Sequence, residues 1–155
     1  MEKVKLQAQY GLYINGEWRN ASDGATYNAE SPADGSHLAV CAQGSREDVE
    51  AASAAAWEAF KTWKKTTPAQ RAALLNKIAD IIDANKEHLA MVESMDNGKP
   101  IRETMNVDIP MAAEHFRYFA GCILAEEGTA TMLDNTTMSI ILREPANPCQ
   151  PVQFP

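Results

Sequence analysis

The sequence predicts an α/β chain laid out in three blocks: short strands, then four to five amphipathic helices, then a closing antiparallel pair. Two changes of period carry that prediction. Apolar residues alternate up to about Gly44, recur at helical spacing from there to about Ile123, and alternate again after Gly128. The borders are punctuated where the backbone needs it, by Asn15-Gly16, by Ser45, by Thr67-Pro68 and by Gly98 with Pro100.

The first block opens with "LYINGEWRN". Asn15-Gly16 predicts a two-residue hairpin, because both residues tolerate the positive φ of a type I′ turn. "TYNAES" and "HLAVC" predict two more extended pieces, with Pro32, Asp34 and Gly35 turning the chain between them. The helical block begins at Ser45, an N-cap with Glu47 and Asp48 in the first turn, where they favour the helix dipole. Val49, Ala52, Ala56, Phe60 and Trp63 give this helix its apolar spacing, and it should end near Thr66. Thr67 caps a second helix with Pro68 at its first position. Leu74, Leu75, Ile78, Ile81 and Ile82 are its expected buried stripe. The third, within "NKEHLAMVESMDNGKP", turns Leu89, Val92 and Met95 inward and stops at Gly98.

"PIRETMNV" predicts a shorter helix, and Asp108 is placed to cap the next, with Pro110 in its first turn. Ile109, Ala113, Phe116, Ala120 and Ile123 form that helix's apolar face, with His115 beside it. "TATML" and "TMSIILRE" predict a hairpin across "DNT", with Met138, Ile140 and Leu142 on one face. The helices are amphipathic, yet no long buried strand set is present for them to cover. A partner surface is therefore expected outside these elements.

Composition narrows the function. The apolar fraction of 45% and charged fraction of 23% suit a soluble globular protein. A net charge of −7 and the lack of a basic cluster beyond Lys61–Lys65 argue against nucleic acid or an anionic membrane as partner. No apolar run is long enough to span a bilayer, and "MEKVKLQAQY" has no secretory pattern, so a cytoplasmic chain is expected. Cys41, Cys122 and Cys149 lack metal-type spacing to His37, His88 or His115. No Ser/His/Asp order, carboxylate pair or glycine-rich phosphate loop stands out, and nothing near Cys149 would activate it as a nucleophile.

Longer words in the chain carry a resemblance. "YINGEWRNA", "NAESPADGSHLAVCAQGSREDVEAASAAAWEAF", "ESMDNGKPIRET", "HFRYFAGCILAEEGTATMLD" and "LREP" resemble, in order and separation, the opening third of an aldehyde dehydrogenase. The bacterial NAD-dependent acetaldehyde type is the nearest pattern. The likeness covers about residues 10–145. It implies a longer enzyme, homo-oligomeric, acting on a small aldehyde with NAD, in which a cysteine thiolate attacks the aldehyde and a glutamate later activates water. Both of those residues would lie downstream, and no cysteine here matches the nucleophile. The resemblance divides the chain into an unstructured 1–9, the first part of the cofactor-binding domain at 10–127, an oligomerisation hairpin at 128–145 that pairs between subunits, and a divergent tail at 146–155. The main Rossmann sheet would be missing.

Two sets of site residues follow from the resemblance. Asp96 of "DNGKP", with backbone carbonyls near Glu30, would hold a structural monovalent cation, as a carboxylate plus carbonyls suits a hard ion. The alternative is that Asp96 only supports the Asn97-Gly98 helix stop. In the tail, four of the eight prolines fall within residues 145–155. The family's buried strand there is broken, since Pro148 and Pro151 cannot donate in a sheet interior. Aligning "PVQFP" with the family's "PWNFP" puts Gln153 at the oxyanion-stabilising asparagine and leaves Pro151 and Val152 as a remnant of the cofactor-lining stretch. The expectation is the N-terminal piece of an aldehyde dehydrogenase, departing from the family after Pro145 and inactive alone. The alternative is a standalone module that joins full-length subunits.

Overall fold

The computed structural model describes residues 4–141. Its first block holds β1 (Gln9–Tyr10), β2 (Leu12–Ile14), β3 (Glu17–Arg19), β4 (Thr26–Glu30) and β5 (His37–Ala42). β2 and β3 form the expected hairpin, with Tyr13 opposite Trp18. Asn15 and Gly16 supply its turn at φ 54° and 83°. The other three strands make a small sheet in the order β1-β5-β4. β1 runs parallel to β5 and β4 antiparallel to it. Pairing begins at Gln9, where Val40 lies opposite.

α1 (Arg46–Trp63) and α2 (Pro68–Ala84) start as the sequence predicts. Ser45 and Thr67 each close a capping box, with Asp48 and Gln70 reaching back to the cap amide. Asp48 does more than cap. Its carboxylate also accepts from the Ser22 amide at 3.1 Å, so the loop after β3 is tied to the start of α1. The apolar spacing of α1 overstates its packing, because Val49 and Trp63 are exposed.

α3 (Lys86–Asn97) ends on Gly98, as expected. α4 (Ile101–Glu103) runs through a π-helical turn at Thr104–Asp108 directly into α5 (Ile109–Leu124). The predicted cap at Asp108 does not form. Asp108 has helical dihedrals (φ −64°, ψ −53°) and makes no side-chain cap. The chain is already helical there, so no free amides await a cap, and the carboxylate pairs instead with Lys99 Nζ at 2.8 Å. Pro110 explains the π turn. Its ring and missing N–H disturb the preceding turn, and the wider turn, with the Ile109 amide donating to the Thr104 carbonyl, absorbs the disturbance.

α2 and α5 form the main helix pair. The buried residues of α2 are Ala72 and Ala79, and those of α5 are Ala113 and Ala120. Arg117 bridges the pair through Asp80 at 2.8 Å and Asp83 at 2.7 Å. The stripe expected on α2 is corrected in two places, since Leu74 and Ile81 are exposed. Each stands two residues, about 200° of helix, beyond a buried alanine and so points away from α5. β6 (Thr129–Met132) and β7 (Met138–Ile141) form the closing hairpin, Ala130 opposite Ile140. Its turn is held by Asp134 Oδ1, which accepts from the Thr136 and Thr137 amides at 2.8 Å.

Candidate functional site

The end of α3 meets the turn between β4 and β5. Gly98 adopts the left-handed conformation (φ 79°) and donates its amide to the Ser94 carbonyl at 3.1 Å. Asn97 Oδ1 accepts from the Lys99 amide at 2.8 Å, and the Ser94 hydroxyl donates to the Lys99 carbonyl. Asp96 takes no part in these bonds. Its side chain is exposed and makes no hydrogen bond or ion pair among the described residues. The stop is therefore held by Ser94, Asn97 and the glycine itself.

The facing turn is equally well fixed. The Ser31 amide donates to the Ser36 carbonyl at 2.9 Å and the Gly35 amide to the Ser31 carbonyl at 2.8 Å. Asp34 Oδ1 accepts from the Ser36 amide at 3.0 Å. Just before this turn the β4–β5 ladder slips. Ala29 lies opposite Ala39 and Glu30 opposite His37, which leaves Leu38 unopposed. Such a bulge re-aims backbone groups at the end of a strand. The turn approaches α3 so closely that a Cβ on Gly98 would lie 2.9 Å from Pro32 Cγ.

Asp96 and Glu30 are thus two residues before Gly98 and Pro32 respectively, on either side of one close contact. Tyr27 of β4 belongs to the same neighbourhood. Its phenol is held above its ordinary pKa, first by a hydrogen bond with the Cys41 side chain opposite it, then by the charge on Cys41, by partial burial and by the charge on Asp96. Sequence reasoning did not single out Tyr27, or the Pro32 contact with Gly98. Both carry only turn or strand signals in the sequence, and their meeting is long-range.

Other candidate chemistry is sparse. No cluster of three or more His, Cys, Asp or Glu side chains with metal-binding geometry occurs among the described residues. An open groove of ≈ 570 Å³ at the end of α5 is lined by Phe119, Cys122, Ile123, Ala125, Glu126 and Glu127, a thiol and two carboxylates without a base arranged to activate the thiol. His115 is exposed. Pro151, Val152, Gln153 and Cys149 lie outside the described residues.

Comparison with known proteins fixes the family. Residues 18–152 match the profile of the aldehyde dehydrogenase family. The chain belongs to that family. It is 45% identical over 143 residues to the long-chain-aldehyde dehydrogenase of Acinetobacter sp, a match covering 92% of this chain and 28% of that protein. The EPTC-inducible aldehyde dehydrogenase of Rhodococcus erythropolis is 43% identical, again over 92% of this chain and 28% of its own length. The chain thus spans about 28% of the length of the curated relatives it matches. Among solved structures, the NAD⁺ complex of an aldehyde dehydrogenase from Bacillus cereus superposes with a TM-score of 0.80 at 36% identity, over 84% of this chain and 27% of that one. Indole-3-acetaldehyde dehydrogenase in its apo form gives a TM-score of 0.85 at 31% identity, over 90% of this chain and 34% of that one. The fold matches the N-terminal part of the aldehyde dehydrogenase fold.

The family frame implies two bound groups, a dinucleotide and a monovalent cation. A dinucleotide needs an open helix N-terminus after a strand, where backbone amides meet the pyrophosphate. The β5–α1 junction is such a turn, but the amides of Ser45 and Asp48 are each taken by the other's side chain. Asp48 is buried, and its carboxyl is held below the usual carboxylate range, first by the Ser45 amide and then by that of Ser22. An anionic ligand would meet a carboxylate there, so these residues do not form an NAD site. For a monovalent cation the described residues offer one exposed carboxylate, Asp96, and no cluster of three or more acidic, His or Cys side chains.

Proposed function

We propose that this chain is the N-terminal piece of an NAD(P)-dependent aldehyde dehydrogenase that turns an aldehyde into a carboxylic acid through a cysteine thioester. The observation that carries the reading is the continuous family match over residues 18–152 combined with coverage of about 28% of the relatives. In this reading residues 10–127 are the periphery of the cofactor-binding domain and 128–145 an oligomerisation hairpin between subunits, while the family match runs on to residue 152 and sets no boundary after Pro145. The aldehyde and NAD would be held by residues of the whole enzyme, with NAD supplying the hydride acceptor. A glutamine such as Gln153 at the family's oxyanion asparagine has a side chain one methylene longer, and a displacement of about an ångström costs about a hundredfold in rate. Asp96 and the backbone near Glu30 hold a monovalent cation that locks α3 to the sheet.

The chain alone is expected to be inactive. Purified protein mixed with NAD and acetaldehyde should give no steady NADH production, and sustained turnover would sink this reading. The β6–β7 hairpin favours a second role. Met138, Ile140 and Ile141 are exposed on it, and among the described residues no other element packs substantially against it. Such a surface suits a module that joins full-length family subunits. Co-expression with an intact homologue tests that role, and failure to co-purify removes it.

A further inference from the structure

We infer that Arg71 anchors a docking surface on α2, where its guanidinium pairs with a carboxylate carried by a later segment of the family enzyme. This rests on the reading of the chain as the N-terminal piece of such an enzyme.

The arginines of the described chain are not alike. Arg46 pairs with Glu50 at 2.9 Å, Arg102 with Glu103 at 2.7 Å, and Arg117 with both Asp80 and Asp83. Arg19 is exposed, so water can satisfy it. Arg71 is half-buried, and its Nε is buried with no hydrogen-bond partner among the described residues. It makes no ion pair among them either. A guanidinium keeps its charge at any working pH, so it cannot escape the cost of burial by losing a proton. It needs an acceptor. No carboxylate stands one helical turn away, where Thr67, Pro68, Leu74 and Leu75 lie. The backbone is fixed as well, since the Arg71 amide donates to the Thr67 carbonyl at 3.1 Å in the capped first turn of α2.

The neighbours of Arg71 define the partner. Leu74, Leu75, Ile78, Ile81 and Ile82 continue from it along α2 at spacings of three and four. Ala72 and Ala79, buried toward α5, lie to one side of this row. Leu74 and Ile81 are exposed on the other, and Leu75, Ile78 and Ile82 are half-buried between them. A free anion could pair with Arg71 but would leave the apolar row in water. A protein segment with one carboxylate among apolar residues covers the row and meets the charge. A carboxylate also fits the buried edge of the guanidinium, because it can accept from Nε and one Nη in two parallel bonds.

Two measurements of opposite sign test this. In the isolated chain, Arg71→Met keeps helix propensity and an apolar stem while removing the unpaired charge. Its thermal midpoint, followed by circular dichroism, should rise by about 2–4 °C. A fall would mean that the guanidinium already has a partner within the chain, and would overturn the inference. In the second measurement the chain is co-expressed with the part of the Acinetobacter long-chain-aldehyde dehydrogenase that follows its matched region. Wild type should co-purify with it. Arg71→Met should weaken that association at least about 30-fold, as when one member of a buried charge pair is removed. Arg71→Gln, which keeps amide donors without charge, should lose as much. Arg71→Lys keeps the charge without the planar fork and should lose less. Arg19→Gln should bind like wild type.

A wild type that does not co-purify overturns both the fragment reading and the inference. Association that survives Arg71→Met overturns the inference and leaves the fragment reading standing. Association kept by Arg71→Gln assigns the acceptor to a neutral carbonyl and overturns the carboxylate. Self-association of the chain that Arg71→Met abolishes would place the acceptor on a second copy, and it too overturns the inference.

Discussion

The two sides of the α2–α5 pair differ in an unexpected way. Between the helices lie the small residues Ala72, Ala79, Ala113 and Ala120. On the outward side stand the large ones: Leu74 and Ile81 on α2, with Met111, Tyr118 and Phe119 on α5. In a self-sufficient domain the reverse is the rule, since burying a leucine or aromatic contributes about 1.5–3 kcal/mol and burying an alanine much less. The buried apolar residues of the whole described chain are alanines. The inner side sets how closely the helices approach, and the outer side still has its largest apolar area in water. Helix geometry is thus settled locally by small residues, while the larger apolar side chains of the pair contribute little burial among the described residues.

The largest effect is expected from breaking the inner side. Ala79 is 0% exposed. Ala79→Leu inserts three carbons where the helices touch and should cost about 1–3 kcal/mol. Thermal melts followed by circular dichroism should show the loss, and an unchanged midpoint would mean that the helices are not in close contact. Three carbons added on the outer side extend toward solvent, so a Leu74→Phe control should leave the midpoint nearly unchanged.

A smaller effect sharpens the role of small residues at the next contact. Ala90 of α3 and Thr104 of the π turn are both 0% exposed, and the Thr104 hydroxyl donates to the Ala90 carbonyl at 2.9 Å. Thr104→Val keeps the shape and removes the bond, so it should cost about 1 kcal/mol, the net worth of a buried hydrogen bond. Denaturant titration at constant m-value would read it. A neutral result would assign the contact to shape alone.

Local signals identify the elements and miss what lies between them. Asn15-Gly16, Ser45, Thr67-Pro68 and Gly98 act through their own dihedrals and cap bonds, so their structural roles were legible one stretch at a time. Asp108 was misjudged because a cap needs free amides, and whether they are free depends on the preceding turn, which Pro110 widens. Leu74 and Ile81 were placed inside because periodicity counts apolar residues and does not say which arc faces a partner; here the alanines do. The candidate site was half legible. Asp96 and Glu30 came from family words, while the Tyr27–Cys41 pair depends on strand register and Pro32 seated on Gly98 on a contact between residues more than sixty positions apart, which no local pattern encodes.

The smallest stability effect should come from the outer side, and it is the most informative. Leu74→Glu/Ile81→Glu places two charges seven residues apart on one helix face that is already in water. Surface changes of this kind stay within about 0.5 kcal/mol, so the melt of the isolated chain should barely move. Solubility should rise, because an exposed apolar patch is broken by charge. Association should respond in the opposite sense. If later segments of a family enzyme cover this face, co-expressing them with the double variant buries two carboxylates against apolar surface without partners, and the complex should fail to form. Wild type should co-purify with those segments under the same conditions. A double variant that still associates would show that α2 presents its free face to solvent in the assembled enzyme too, and the covering surface would then have to be sought on α5, beyond Tyr118 and Phe119.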